Sequence, residues 1–278
     1  MSTLTQTQID AREALLSTSP IIGIFGETGA GKTTFMSALM ADPRYRRVLY
    51  IDGDRGGATI AHLTGRSELC EYRYPKQATN ALAAQQWMCA ELAQAHKVPD
   101  VGAIVVEGVA RIYEDLVASA FTNVSEDQLV GHKLRRLYIV PANLTKAVIG
   151  AIGDLQSQLQ RANRAVPIFF TCNTKERTDD ETGKTWQVPS LSDSAIKVIM
   201  GRADAFVQLT RRGTTVSLLT DRDKYQAHRK VRHHGAASAL ARVTNPNAVT
   251  MIQTWADAIA ADSAQVAAHL QSQQPQPQ

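Results

Sequence analysis

Ile21-Ile22-Gly23-Ile24-Phe25-Gly26-Glu27-Thr28-Gly29-Ala30-Gly31-Lys32-Thr33 is the stretch that decides the fold. Its first five residues form an apolar run without alternation, as expected of a strand covered on both faces in a parallel sheet. Glycines at 26, 29 and 31 interrupt that run, and Lys32 to Met40 then reads as a helix. A strand, a glycine-rich loop and a helix in this order let backbone N–H groups and the positive end of the helix converge on one anion.

The spacing G-x-x-x-x-G-K-T assigns a role to each position. Gly26, Glu27, Thr28, Gly29, Ala30 and Gly31 form the cradle for the phosphates of a nucleoside triphosphate. Lys32 neutralises the β and γ phosphates, and Thr33 places its hydroxyl on Mg²⁺. Thr34 also borders the cradle, with helix packing as its main expected role. The competing reading, a chance glycine-rich turn, does not account for the full motif in its strand, loop and helix setting.

Outward from the loop, Val48-Leu49-Tyr50-Ile51, Ile104-Val105-Val106 and Val166-Pro167-Ile168-Phe169-Phe170 read as further buried strands. Helical stretches at 80–96 and 143–163 lie between them. Strands alternating with helices of this length require crossover connections and hence a parallel sheet. Residues 204–210 and 214–220 read as an antiparallel pair at the sheet edge, joined by Arg211-Arg212-Gly213. The polar stretch Thr178 to Thr185 reads as a hairpin tip or mobile loop. The expected organisation is a helical appendage at 1–19, an α/β core at 20–235, a C-terminal helical segment at 236–270 and a low-complexity tail at 271–278.

Composition narrows the class. The 278 residues are 44% hydrophobic and 20% charged, enough for one large core. A formal charge of +4 does not by itself demand a polyanionic partner. Cys70, Cys89 and Cys172 are widely spaced and odd in number, which argues against a disulfide framework or a zinc site. His62, His96, His132 and His269 are scattered and show no ligand spacing. No apolar run is long enough for a membrane span, and no secretory pattern opens the chain, so a soluble cytoplasmic protein is expected.

Two carboxylates stand at strand ends, where open α/β sheets bind ligands. Glu107 follows Ile104-Val105-Val106 and is the candidate for the Walker B position, holding Mg²⁺ together with Thr33. Asp54 follows Ile51-Asp52-Gly53 and is the candidate to polarise an attacking water. Each competes with the reading of an ordinary strand-end carboxylate, and Asp52 reads as structural. Asn173, at the end of Phe169-Phe170-Thr171-Cys172, suits either a hydrolysis sensor or a cap or turn.

Taken together these residues resemble the RecA-like branch of P-loop ATPases, and most closely the small phage-encoded RecA-like ATPases linked to single-strand annealing recombination. The likeness covers about residues 20–225. It implies a RecA-like P-loop fold: α/β, with a mostly parallel central sheet flanked by helices, an antiparallel edge and a C-terminal helix. It also implies ATP hydrolysis with Mg²⁺, action on single-stranded DNA and, for a phage-encoded protein, a place in the host cytoplasm. The family's water-activating acid matches Asp54, and its polar sensor matches Thr171 to Asn173. Its two basic residues that reach a neighbouring subunit's nucleotide match Arg222 and Lys224, which implies a homo-oligomer. Two departures stand out: Glu107 is one methylene longer than the usual Asp, and Asp54 is shorter than the usual Glu.

A basic stretch at 222–234 contains Arg222, Lys224, Arg229, Lys230 and Arg232, with His228, His233 and His234 alongside. It suits phosphate backbones, with a solvated face or contacts to nucleotide alone as the competing reading. Arg44, Arg46 and Arg47 form a smaller basic group. The segment 174–190, with Lys175, Arg177, Lys184 and Trp186, suits either a DNA-binding loop or an ordinary hairpin. Packaging or remodelling motors and nucleotide-gated switches are the alternative function classes. A GTPase is disfavoured because Thr171-Cys172-Asn173-Thr174-Lys175-Glu176 lacks the N-K-x-D order.

Overall fold

The computed structural model of the chain describes residues 5–53, 70–76, 79–122, 124, 131–220, 229–232 and 234–272. Asp54, His62, Arg222, Lys224, His228, His233 and the end of the tail lie outside these residues.

The strands are β1 (Ile21–Phe25), β2 (Arg47–Asp52), β3 (Cys70–Arg73), β4 (Val101–Glu107), β5 (Ile168–Cys172), β6 (Thr174–Thr178), β7 (Thr185–Pro189), β8 (Ala205–Arg212), β9 (Thr215–Leu219) and β10 (Lys230–Val231). The helices are α1 (Gln6–Ser17), α2 (Lys32–Ala41), α3 (Ala81–Ala95), α4 (Val109–Phe121), α5 (Gly131–Arg161), α6 (Asp193–Arg202), α7 (His234–Ala241) and α8 (Ala248–Ser272).

Among the described residues, eight strands form one sheet in the order β10-β8-β1-β5-β4-β2-β3, with β9 also paired to β8. Pairings from β8 through β3 are all parallel, while β9 and β10 run antiparallel along the outer edge of β8. The protein is therefore α/β with a mostly parallel sheet and an antiparallel edge. β6 and β7 make a separate two-stranded hairpin.

The unbroken apolar runs of β1 and β5 are explained by burial on both faces. Phe25, Ile51, Val106 and Phe170 face one side with Met88, Leu92, Ile112, Leu155 and Ile196 of α3 to α6. Ile24, Tyr50, Val105 and Phe169 face the other with Met36, Leu39, Met251 and Trp255 of α2 and α8. Leu15 and Leu16 of α1 join this second layer. Gly23 is required by packing: a Cβ there would lie 2.3 Å from Phe170 Cζ and 2.4 Å from Phe206 Cδ2. Among the described residues, no helix is long and apolar enough to cross a membrane.

Three features differ from the sequence expectation. β3 was not anticipated, because four half-buried residues with two charges carry no strand periodicity. α5 starts at Gly131 rather than near 143, running through Pro141, where a sequence reading places a break. The C-terminal helical segment is two helices, since Asn245, with φ of 49°, and Pro246 interrupt it.

The start of β1 is held by Asp204. Its Oδ2 accepts from the Ile21 backbone N–H at 2.8 Å, and its Oδ1 pairs with Arg232 at 2.7 Å. Asp204→Ala leaves that buried N–H unsatisfied and is expected to lower unfolding free energy by about 1–3 kcal/mol. Urea denaturation would measure the loss, and an unchanged midpoint would contradict the anchoring role.

Candidate functional site

β1 ends against the loop that the sequence singles out. Gly26 N–H donates to Cys172 O at 3.2 Å, which seats the loop's first residue on the tip of β5. The three glycines act for different reasons. A Cβ on Gly26 would lie 2.5 Å from Leu209 O, so this position needs close backbone approach. Gly29 and Gly31 have φ of 84° and 93°, the left-handed region that a side chain disfavours. Gly31 also caps α2, so the loop's turn and the helix N-terminus are one feature.

Lys32 folds back across this loop and is 9% exposed. Its Nζ donates to Gly26 O at 2.8 Å and Glu27 O at 3.0 Å. The ammonium therefore sits over the same concave backbone that opens the N-terminus of α2, an arrangement suited to an anion. Glu27, Thr28 and Gly29 form the exposed rim. Ala30 is buried beneath it, and its N–H closes a turn on Glu27 O at 3.1 Å. Thr34 is exposed, so helix packing is not its role.

Thr33, at the start of α2, and Glu107, at the end of β4, come together, although β5 separates β1 from β4. Thr33 Oγ1 donates to Glu107 Oε1 at 3.0 Å. The other carboxylate oxygen, Oε2, accepts from the Tyr50 hydroxyl. Asp52 lies level with Glu107 in the β2–β4 register and is fully buried, and its Oδ2 accepts from the Tyr72 hydroxyl at 2.6 Å. Burial pushes the Glu107 carboxyl above the ordinary carboxylate range. The Tyr50 hydrogen bond opposes that shift, the Asp52 charge adds to it, and Thr33 and Lys32 oppose it. Hard oxygen donors on Thr33 and Glu107 fit Mg²⁺, which is held through few protein ligands alongside phosphate oxygens. Among the described residues, no group of three or more His, Cys, Asp or Glu could hold a metal on its own.

The other site candidates fall as follows. Asn173 stands half-buried at the tip of β5, beside the loop, and its carbonyl accepts from Ser190 N–H at 2.8 Å. Neighbouring Cys172 is fully buried, with its thiol pushed up to about 12 by burial, and so is no nucleophile. Asp54, Arg222 and Lys224 lie outside the described residues. In the described part of the basic stretch, Arg229 is buried and its Nη2 donates to Gln208 Oε1 at 2.5 Å. Lys230 Nζ donates to Met200 O at 2.7 Å, and Arg232 pairs with Asp204. These cations are engaged by the fold itself. Arg44 likewise pairs with Asp42, and Arg47 with Glu71. The segment 174–190 is the β6–β7 hairpin, tied down by Lys175 to Leu191 O at 3.1 Å and Arg177 to Asp193 at 2.8 Å.

Sequence reasoning missed several residues of this region. Tyr50 was assigned only to a buried strand, and Tyr72 lies on the unanticipated β3. Tyr50 and Asp52 do share the i, i+2 spacing of one strand face, which is a legible signal. Beside the loop, a groove of about 460 Å³ opens between Glu27 to Ala30 and the β8–β9 turn, with Gln187, Gln208 and Arg211 on its walls. Gln208 pairs in register with Phe25, which places it at the mouth of β1.

No protein-family model and no curated protein sequence matches the chain. Its class rests on fold and site: an α/β protein with a mostly parallel sheet, in which a glycine-rich loop crossed by one lysine faces a buried glutamate.

Gly31→Ala forces a side chain into the left-handed region and is expected to cost about 1–2 kcal/mol of stability. Thermal melting would measure it, and a variant as stable as the parent would contradict the loop geometry.

Proposed function

We propose that the chain is a RecA-like, Mg²⁺-dependent ATPase acting on single-stranded DNA as a homo-oligomer. The observation that carries the nucleotide part is the joint placement of Lys32 over the loop and of Thr33 on Glu107. In this reading the amides of residues 26–33 hold the triphosphate and Lys32 draws the β and γ phosphates into the loop. Mg²⁺, when bound, supplies charge stabilisation at the β and γ oxygens. Thr33 and Glu107 hold that position, and the depth of Glu107 keeps bulk water from its carboxylate. Asn173, at the tip of the strand beside the loop, registers the terminal phosphate in this reading. Asp54 is assigned the water and Arg222 and Lys224 the neighbouring subunit's nucleotide, on the resemblance alone.

A second reading, a nucleotide-gated switch without DNA contact, is favoured by the burial of Arg229 and the internal bonds of Lys230. Here the basic segment serves the fold.

Steady-state ATP turnover with and without single-stranded DNA separates the two. The RecA-like reading expects stimulation by DNA, whereas turnover and binding indifferent to DNA support the switch. Lys32→Ala is expected to lower turnover by on the order of a hundredfold or more, with an unchanged circular dichroism spectrum. A variant that keeps parental turnover would remove the loop from the chemistry.

A further inference from the structure

Glu107 reaches its position with one methylene more than the aspartate usual at such a site, and the surrounding side chains fit that extra length. Its two oxygens face different donors: Thr33, at the start of α2, holds Oε1 at 3.0 Å, and Tyr50, two residues before the end of β2, holds Oε2. Tyr50 is fully buried within the second core layer, so its ring cannot follow a carboxylate that moves. The register pairs Tyr50 with Val105 and Asp52 with Glu107, so the phenol lies along the strand toward the carboxylate. Asp52 has its own phenolic donor in Tyr72, whose strand pairs Tyr72 with Tyr50. Each of the two buried carboxylates is thus held by a different tyrosine.

We infer that Tyr50 is a positioning residue that fixes one oxygen of Glu107 so that the other is presented beside Thr33, and that the site is fitted to glutamate and not to aspartate. This rests on the reading of the loop as a Mg²⁺–triphosphate site. Shortening the side chain by one carbon–carbon bond, about 1.5 Å, cannot preserve both hydrogen bonds, because Tyr50 and Thr33 approach from different elements. Glu107→Asp therefore damages this site.

The test is equilibrium binding of a non-hydrolysable fluorescent ATP analogue, titrated with Mg²⁺, for the full chain and for Glu107→Asp, Tyr50→Phe and the double variant. Each single variant is expected to need about tenfold more Mg²⁺ for half-maximal binding, in line with removal of a group that orients a metal ligand. Metal-free nucleotide binding is expected to stay at the parental level. The double variant is expected to be no worse than the weaker single, because both act through one carboxylate. Tyr72→Phe, which acts on Asp52, is expected to shift Mg²⁺ dependence less than Tyr50→Phe. Thermal melting checks folding, and should Tyr50→Phe fail to fold, Glu107→Asp decides alone. An aspartate variant that binds Mg²⁺ as well as or better than the parent overturns the inference, as do additive effects in the double variant. A parent chain that binds no Mg²⁺–nucleotide overturns the functional reading itself and this inference with it.

Discussion

The hydrogen bond from Thr33 to Glu107 crosses an intervening strand, and that span sets the demands on the rest of the sheet. The loop belongs to β1 and the carboxylate to β4, with β5 between them. Their tips meet only because Ile168 of β5 pairs with both Ile21 and Ile104. A slip of one residue in either pairing would turn every side chain to the opposite face and send Glu107 away from the loop. The apolar runs, the packing of Gly23 between Phe170 and Phe206, and the anchoring of β1 by Asp204 all serve to keep that register.

Placing the Glu107 carboxylate at a buried strand tip works against stability. Glu107 holds its proton more tightly in the folded chain than in the unfolded one. Its burial is therefore neutral at low pH and costs stability as pH rises from the ordinary carboxylate value, 4.5, toward the raised one. Such a cost is typical of a functional site held in place by its surroundings. Tyr50, Thr33 and Lys32 offset part of it.

Much of this was legible in the sequence. The glycine spacing located the loop, and the apolar run ending in Glu107 located the carboxylate that Thr33 meets. Local patterns sufficed because strand burial and loop conformation are written within a few residues of one another. β3 escaped because its pairing with β2, and not its own composition, makes it a strand. Tyr72 was lost with it. In the basic stretch, charge is visible in sequence, but the partners Gln208, Met200 and Asp204 that engage Arg229, Lys230 and Arg232 come from elsewhere in the chain. The helix α5 runs through Pro141 and begins twelve residues before the stretch legible in sequence.

Whether the loop is an anion cradle completed by Lys32 is decided by equilibrium dialysis of labelled ATP against the full chain, with and without Mg²⁺. Saturable binding at one site per chain, strengthened by Mg²⁺ and abolished by inorganic triphosphate as competitor, is the expected result. Absence of saturable binding, or binding that inorganic triphosphate does not displace, would contradict it.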